Sequence, residues 1–325
     1  MLLGGVCSLL QHHSRRRVVW RRGYCIRWSS IVSSIPTTPS VTLSFNDDSS
    51  LAVLTLCNPR RRNALTYSMM HQLDAHVNTL NEWSRDVSGQ NNARVLMLTG
   101  SDGTFCSGLD INQNDSGNND KLKDGKEMTK HMSRVTNLIH SLPVLSVAAI
   151  DGNAIGGGAE LSTCTDLVVL SRSATVKFVH ASRGASPGWG GGRRLVNKVG
   201  RRKAIRMLIL GEQVNGDEEA KQLDYADFVA DDGESSYDAA MRLVVDPVLA
   251  LPCSQSTIRA IKSVVSVADG DDDVIDASSG HLRYNATAVK SEIDSFVHIW
   301  GGKSNIELIE QARESLREKK KPSMN

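Results

Sequence analysis

The chain has 325 residues, 40% hydrophobic and 23% charged, with a formal net charge of +2. That is enough chain for one large folded domain with a smaller appendage, and the composition is that of a globular protein. A near-neutral chain with its basic residues gathered mainly at the two ends argues against nucleic acid as a partner. No apolar run approaches the ~18–20 residues that cross a bilayer, so no membrane is expected either. The cysteines Cys7, Cys25, Cys57, Cys106, Cys164 and Cys253 form no CxxC pair and no zinc-ligand spacing with histidine. They read as free thiols in a reducing compartment, with no metal site.

The first 46 residues contain no Asp, Glu or Lys but six arginines, Arg15, Arg16, Arg17, Arg21, Arg22 and Arg27. An Arg-rich, Ser-rich, acid-free segment with apolar residues at Leu9, Leu10 and Val18–Trp20 has the composition of an organelle transit peptide, assigned to 1–40. Mitochondrial import is the expected destination. A plastid, or a cytoplasmic protein with a disordered basic tail, are the alternatives.

A strand–turn–strand signal follows: 41–45, the polar turn Asn46–Ser50, then 51–56. Asn58-Pro59 ends the second strand and the triplet Arg60-Arg61-Arg62 comes next. Thr66 is placed to cap a helix in which Met70, Leu73, Val77 and Leu80 share a face. The run 95–99 reads as a buried strand, and 112–125 as a mobile polar loop. A helix is expected over 126–140 and a strand over 144–150. Gly156-Gly157-Gly158 should lead into a helix, and 167–170 and 175–179 are further short apolar runs. From Arg193 onward the pattern is helical, interrupted by the acidic stretch 269–273, and the basic tail 317–321 reads as solvated. The repeated strand–turn–helix alternation predicts a stacked α/β core over 41–235. A helical, oligomerising region over 236–325 should follow it.

Two glycine-bearing turns carry the chemistry. In Asp151-Gly-Asn-Ala-Ile-Gly156-Gly157-Gly158-Ala159-Glu160, three glycines before a helix let the chain turn sharply and let another group approach the amides. The helix start adds unpaired N–H groups and a positive dipole end, suited to an oxygen that becomes negative. Gly103-Thr-Phe105-Cys-Ser107-Gly108-Leu109-Asp110-Ile111 is a second such turn just after a buried strand. By pattern alone each is also compatible with an ordinary structural turn, and spacing does not show that they meet.

Taken together the landmarks resemble the enoyl-CoA hydratase/isomerase (crotonase) superfamily. They are Asn58-Pro59 with Asn63-Ala64-Leu65, Phe105–Asp110, Gly156–Glu160 and Pro187-Gly188-Trp189-Gly190-Gly191. The resemblance implies a spiral core of ββα units and a C-terminal helical region that trimerises, as a homotrimer or homohexamer. It implies an acyl-CoA substrate, with coenzyme A as part of the substrate and no separate cofactor. The amides of Leu109 and Gly157 would form an oxyanion hole for the thioester carbonyl. Ser107, Gly108, Asp110 and Ile111, with Ala64 and Gly156, would line the substrate site, Leu109–Ile111 on its adenine side. Arg61 and Arg62, with Arg60, would meet phosphates or simply form a solvated turn.

Glu160 falls on the first acid/base glutamate of the hydratases. Their second glutamate corresponds to His180 here, and Ala181, Ser182 and Arg183 supply no carboxylate. The segments Phe178-Val179-His180, Ser186–Gly191 and Ile299-Trp300-Gly301-Gly302-Lys303-Ser304-Asn305-Ile306-Glu307 resemble one branch of the superfamily, the ethylmalonyl-CoA decarboxylases. That resemblance implies loss of CO2 through a thioester enolate, with His180 and Glu160 both candidates for proton delivery or carboxylate orientation. Trp189 would wall the acyl pocket or simply pack in the core, and Asp110 and Asp166 read mainly as structural. The rival expectations are a hydratase or isomerase that uses Glu160 alone, and a non-catalytic binding protein of the same fold.

Overall fold

Strands that are apolar on both faces must be covered on both faces, and that requirement organises the fold. The computed structural model describes residues 38–86, 92–111, 120–268, 274–275 and 282–283, with Lys303, Glu307, Gln311 and Glu314. Most of the leader segment 1–40, most of the Trp-Gly-Gly segment near 300, the acidic stretch 269–273 and the basic tail 317–321 lie outside the described residues.

β1 (Ser40–Phe45) and β2 (Leu51–Cys57) pair antiparallel. Thr66 Oγ1 accepts from Met69 N–H at 3.2 Å and starts α1 (Tyr67–Arg85), whose Met70, Leu73, Val77 and Leu80 are buried. β3 (Val95–Gly100), α2 (Gly125–His140), β4 (Leu145–Ile150), β5 (Asn153–Ile155) and α3 (Gly157–Ser162) follow. β6 (Leu167–Leu170), β7 (Thr175–Lys177), α4 (Gly191–Val199) and α5 (Arg201–Ile205) come next. Of the polar loop expected over 112–125, residues 112–119 lie outside the described residues. Asp120 caps a 3-10 turn at Lys121–Lys123 that buries Leu122.

The expectation of a helical pattern from Arg193, broken only at 269–273, is corrected by β8 (Gln213–Asn215) and β9 (Phe228–Val229), which bracket α6 (Glu218–Gln222). Both strands gain their hydrogen bonds from distant partners, a signal that local periodicity lacks. Then come α7 (Ser236–Ala240), α8 (Asp246–Leu249) and α9 (Gln255–Ala268).

The main sheet runs β1-β2-β3-β4-β6-β9, parallel except for the β1–β2 pair. A second sheet, β5-β7-β8, stands beside the site. Alternation along each strand feeds two cores. Ala52, Leu54, Leu96, Leu98 and Ala148 face α1–α4, whereas Leu51, Val53, Val95, Met97 and Val147 face the α7 side at Ala239, Ala240 and Val244. β3 and β4 thus deliver the 101–111 and 151–157 connections to neighbouring positions at the same end of the sheet.

Candidate active site

The Asn58–Leu65 turn is built on side-chain amides. Asn63 Nδ2 donates to the carbonyls of Ser101 (2.8 Å) and Thr104 (2.6 Å), and Asn63 Oδ1 accepts from Asn58 N–H at 2.7 Å. Arg62 and Asn63 are both left-handed, φ 52° and 55°, a conformation that asparagine tolerates well. Ser107 ties this turn to the next one, its N–H donating to Arg62 O and its Oγ to Arg61 O. Arg60, Arg61 and Arg62 are thereby exposed along one wall.

The segment 105–110 is threaded between two neighbours. On one side Leu65 N–H donates to Gly108 O (2.7 Å) and Asp110 N–H to Leu65 O (3.0 Å). On the other, Cys106 N–H donates to Asn153 O and Cys106 O accepts from Ile155 N–H, both at 2.9 Å. Because extended backbone alternates its amide directions, Leu109 N–H points away from Leu65. Gly108, at φ +92°, lies against the start of α3: a Cβ there would fall 2.8 Å from Ile155 O and 3.1 Å from Gly157 N. Gly157 opens α3, so its N–H has no helical acceptor. Among the described residues neither Leu109 N–H nor Gly157 N–H has a hydrogen-bond acceptor. The structure therefore brings together the two turns that spacing alone left separate.

Glu160, 2% exposed, is held by four hydrogen bonds. Oε2 accepts from Trp189 N–H (2.8 Å) and Gly191 N–H (3.0 Å), and Oε1 accepts from Gly188 N–H (3.2 Å). Oε1 also pairs with His180 Nε2 at 3.0 Å. Among the described residues His180 Nδ1 is buried without a hydrogen-bond partner. The two residues proposed as alternative proton carriers are thus one hydrogen-bonded pair. The Trp189 indole is buried over the first α3 residue, so that a Cβ at Gly157 would fall 2.5 Å from its Cη2. Burial pushes the Cys106 thiol up to about 12, partly opposed by the Gly108 amide that donates to its sulfur.

The two amides, Glu160, His180 and Trp189 line one cleft of about 940 Å³, large enough for a sizeable organic ligand. Ala64, Ser107, Gly108, Leu109, Asp110 and Ile111 lie along it, as do Gly156, Gly157, Glu160, His180 and Trp189. Arg61 and Arg62, with Arg60, complete the set expected from sequence. Asp166 is elsewhere, accepting from Ser146 N–H and Oγ at 2.8 Å and paired with Lys262. Thr129 and Asn153 also line the cleft without having been anticipated. Nor were the Gly188, Trp189 and Gly191 amides anticipated as the carboxylate's partners, because a backbone donor leaves no mark in residue type. Among the described residues no group of three or more His, Cys, Asp or Glu side chains is arranged to hold a metal, and no helix is long and apolar enough to cross a membrane.

Residues 46–229 match the enoyl-CoA hydratase/isomerase family. A Danio rerio protein named ethylmalonyl-CoA decarboxylase is 33% identical over 311 residues, which cover 93% of this chain and 95% of the relative. A Homo sapiens protein of the same name is 31% identical over 265 residues, covering 81% and 78%. Among solved structures, an enoyl-CoA hydratase from Bacillus anthracis superposes with a TM-score of 0.70 at 21% identity. It covers 85% of this chain and 96% of its own, and bears on the fold alone.

Proposed function

The chain belongs to the enoyl-CoA hydratase/isomerase family, and from that premise we propose that it decarboxylates a small malonyl-type coenzyme A thioester. The substrates are ethylmalonyl-CoA and methylmalonyl-CoA, and the products butyryl-CoA and propionyl-CoA. One observation carries the reading. The cleft that contains the two unpaired amides holds a glutamate bonded to a histidine, where the hydratase pattern calls for two carboxylates around a water. The two relatives named above support the same reaction.

The chemistry needs an electron sink more than an acid. The bond between Cα and the free carboxylate breaks, CO2 leaves, and the electron pair moves into the thioester to give an enolate. Leu109 and Gly157 N–H donate to that oxygen, and one such donor is worth about 2.7–4 kcal/mol. A proton must then reach Cα. His180 lines the cleft with its Nε2 paired to Glu160, and this pair orients the substrate carboxylate and returns a proton to Cα, His180 being the donor. Glu160 has both oxygens occupied by backbone amides and orients the imidazole. An isomerase that shuttles its proton on Glu160 is disfavoured by those same bonds. Arg60–Arg62, which line the cleft, would meet the phosphates of coenzyme A, and the scheme draws on no other cofactor.

His180→Ala and Glu160→Ala are each expected to lower CO2 release well beyond any change in folding, by about 100-fold or more for His180→Ala. Steady-state kinetics alongside circular dichroism test this. Full activity in both variants overturns the assignment.

A further inference from the structure

Behind the Glu160 carboxylate lies a second buried charge that the proposed reaction does not use. Arg194, in α4, is only 3% exposed, and among the described residues its guanidinium donates to no carboxylate. Its three donors reach three different parts of the fold. Nη2 donates to Trp189 O (2.7 Å), Nη1 to Asn137 Oδ1 on α2 (2.9 Å), and Nε to Thr163 Oγ1 at the end of α3 (3.2 Å).

These bonds close on themselves. Thr163 Oγ1 accepts from Arg194 and donates to Glu160 O at 2.6 Å, while Trp189, whose carbonyl accepts from Arg194, donates its N–H to Glu160 Oε2. We propose that Arg194 is a positioning residue for the Glu160–His180 pair, fixing both the main chain of Glu160 and the turn whose amides hold its carboxylate. Activity readouts of this role rest on the function proposed above; the geometry does not.

The adjacent glycines of the turn fit that role. A Cβ at Gly190, φ +79°, would fall 2.6 Å from Arg194 Nη1, and one at Gly191 would fall 2.5 Å from Glu160 Cγ. The turn is thus a thin backbone layer with the guanidinium on one side and the carboxylate on the other. α2 supports it from a third direction: Thr136 Oγ1 also donates to Trp189 O (2.6 Å), and Ser133 Oγ donates to Gly188 O (2.8 Å). A lysine would keep the charge, but its single ammonium cannot reproduce a planar fork that spans three acceptors. Burial lowers the Arg194 guanidinium from its ordinary value, with Cys164 and Glu160 opposing the shift.

The test reads His180 directly. The imidazole nitrogen resonances of 15N-histidine-labelled full-length protein are assigned by difference against His180→Ala, then compared in Arg194→Lys, Arg194→Ala and Thr136→Val. The His180 Nε2 resonance is expected to move in both Arg194 variants, and by less in Thr136→Val, which removes one of two donors to Trp189 O. With ethylmalonyl-CoA, Arg194→Lys should lose about tenfold or more in kcat at a KM within about twofold. Dilute guanidinium should restore part of the activity of Arg194→Ala. Should the Arg194 variants fail to fold, Thr136→Val, a near-isosteric change at a buried position, still reports on the turn. A His180 spectrum unchanged in every variant that folds overturns the proposal. Absence of CO2 release by the wild-type protein would overturn the functional reading, while the resonances still decide the role of Arg194.

Discussion

Cys106 packs against the start of α3, where a Cβ at Gly158 would fall 2.9 Å from its own Cβ, and a thiol so placed invites a nucleophilic role. A thiol attacks as its thiolate, and burial pushes this one up to about 12. It therefore stays protonated at any working pH, as does Cys164, which burial also pushes up to about 12. Iodoacetamide at pH 8 should leave both unmodified in the native protein and label both in urea, read by peptide mass spectrometry. Native-state labelling of Cys106 would contradict the packing described here. At this scale the sequence was informative where a side chain or a glycine carries the chemistry. Leu109, Gly157, Glu160 and His180 were all visible and all line the cleft. The partners of the Glu160 carboxylate were not, since three are backbone amides. Arg194 was hidden for another reason: an arginine in a helix reads as solvated until the structure shows it buried.

α1 and α2 were legible because a helix of several turns repeats its apolar face. Thr66 also marked the start of α1, and its side chain does cap that helix. β5, β8 and β9 are two or three residues long, too short to display a period, and their pairing is set by distant strands. α9 gives the element-scale prediction. It is pinned on one side, with Arg259 donating to Ser84 O at 2.8 Å and Lys262 paired with Asp166. Ile261 and Val265, four residues apart and hence on one face, are 61% and 60% exposed. We propose that this face joins copies of the chain into a trimer or hexamer. Light scattering should find three or six chains in the wild type and fewer in the Ile261→Asp/Val265→Asp double variant. An unchanged mass in that variant contradicts the proposal.

At the scale of the molecule, the parallel sheet delivers the ends of β3 and β4 side by side, so that two distant loops present their amides to one cleft. The alternating pattern of strand and helix made that layered core legible. The meeting of the loops was not legible from spacing, because register is a property of strand pairing rather than of either segment. Only the ordered motifs, through the family they resemble, pointed to it. In the proposed reaction this cleft supports loss of CO2 in place of addition of water. The direct measurement supplies the purified full-length protein with malonyl-, methylmalonyl- and ethylmalonyl-CoA and, separately, with crotonyl-CoA. CO2 release is followed in the first three, and loss of the enoyl double bond in the last. CO2 release from ethylmalonyl- and methylmalonyl-CoA is expected, with little hydration of crotonyl-CoA. Rapid hydration of crotonyl-CoA without CO2 release would contradict the proposed reaction.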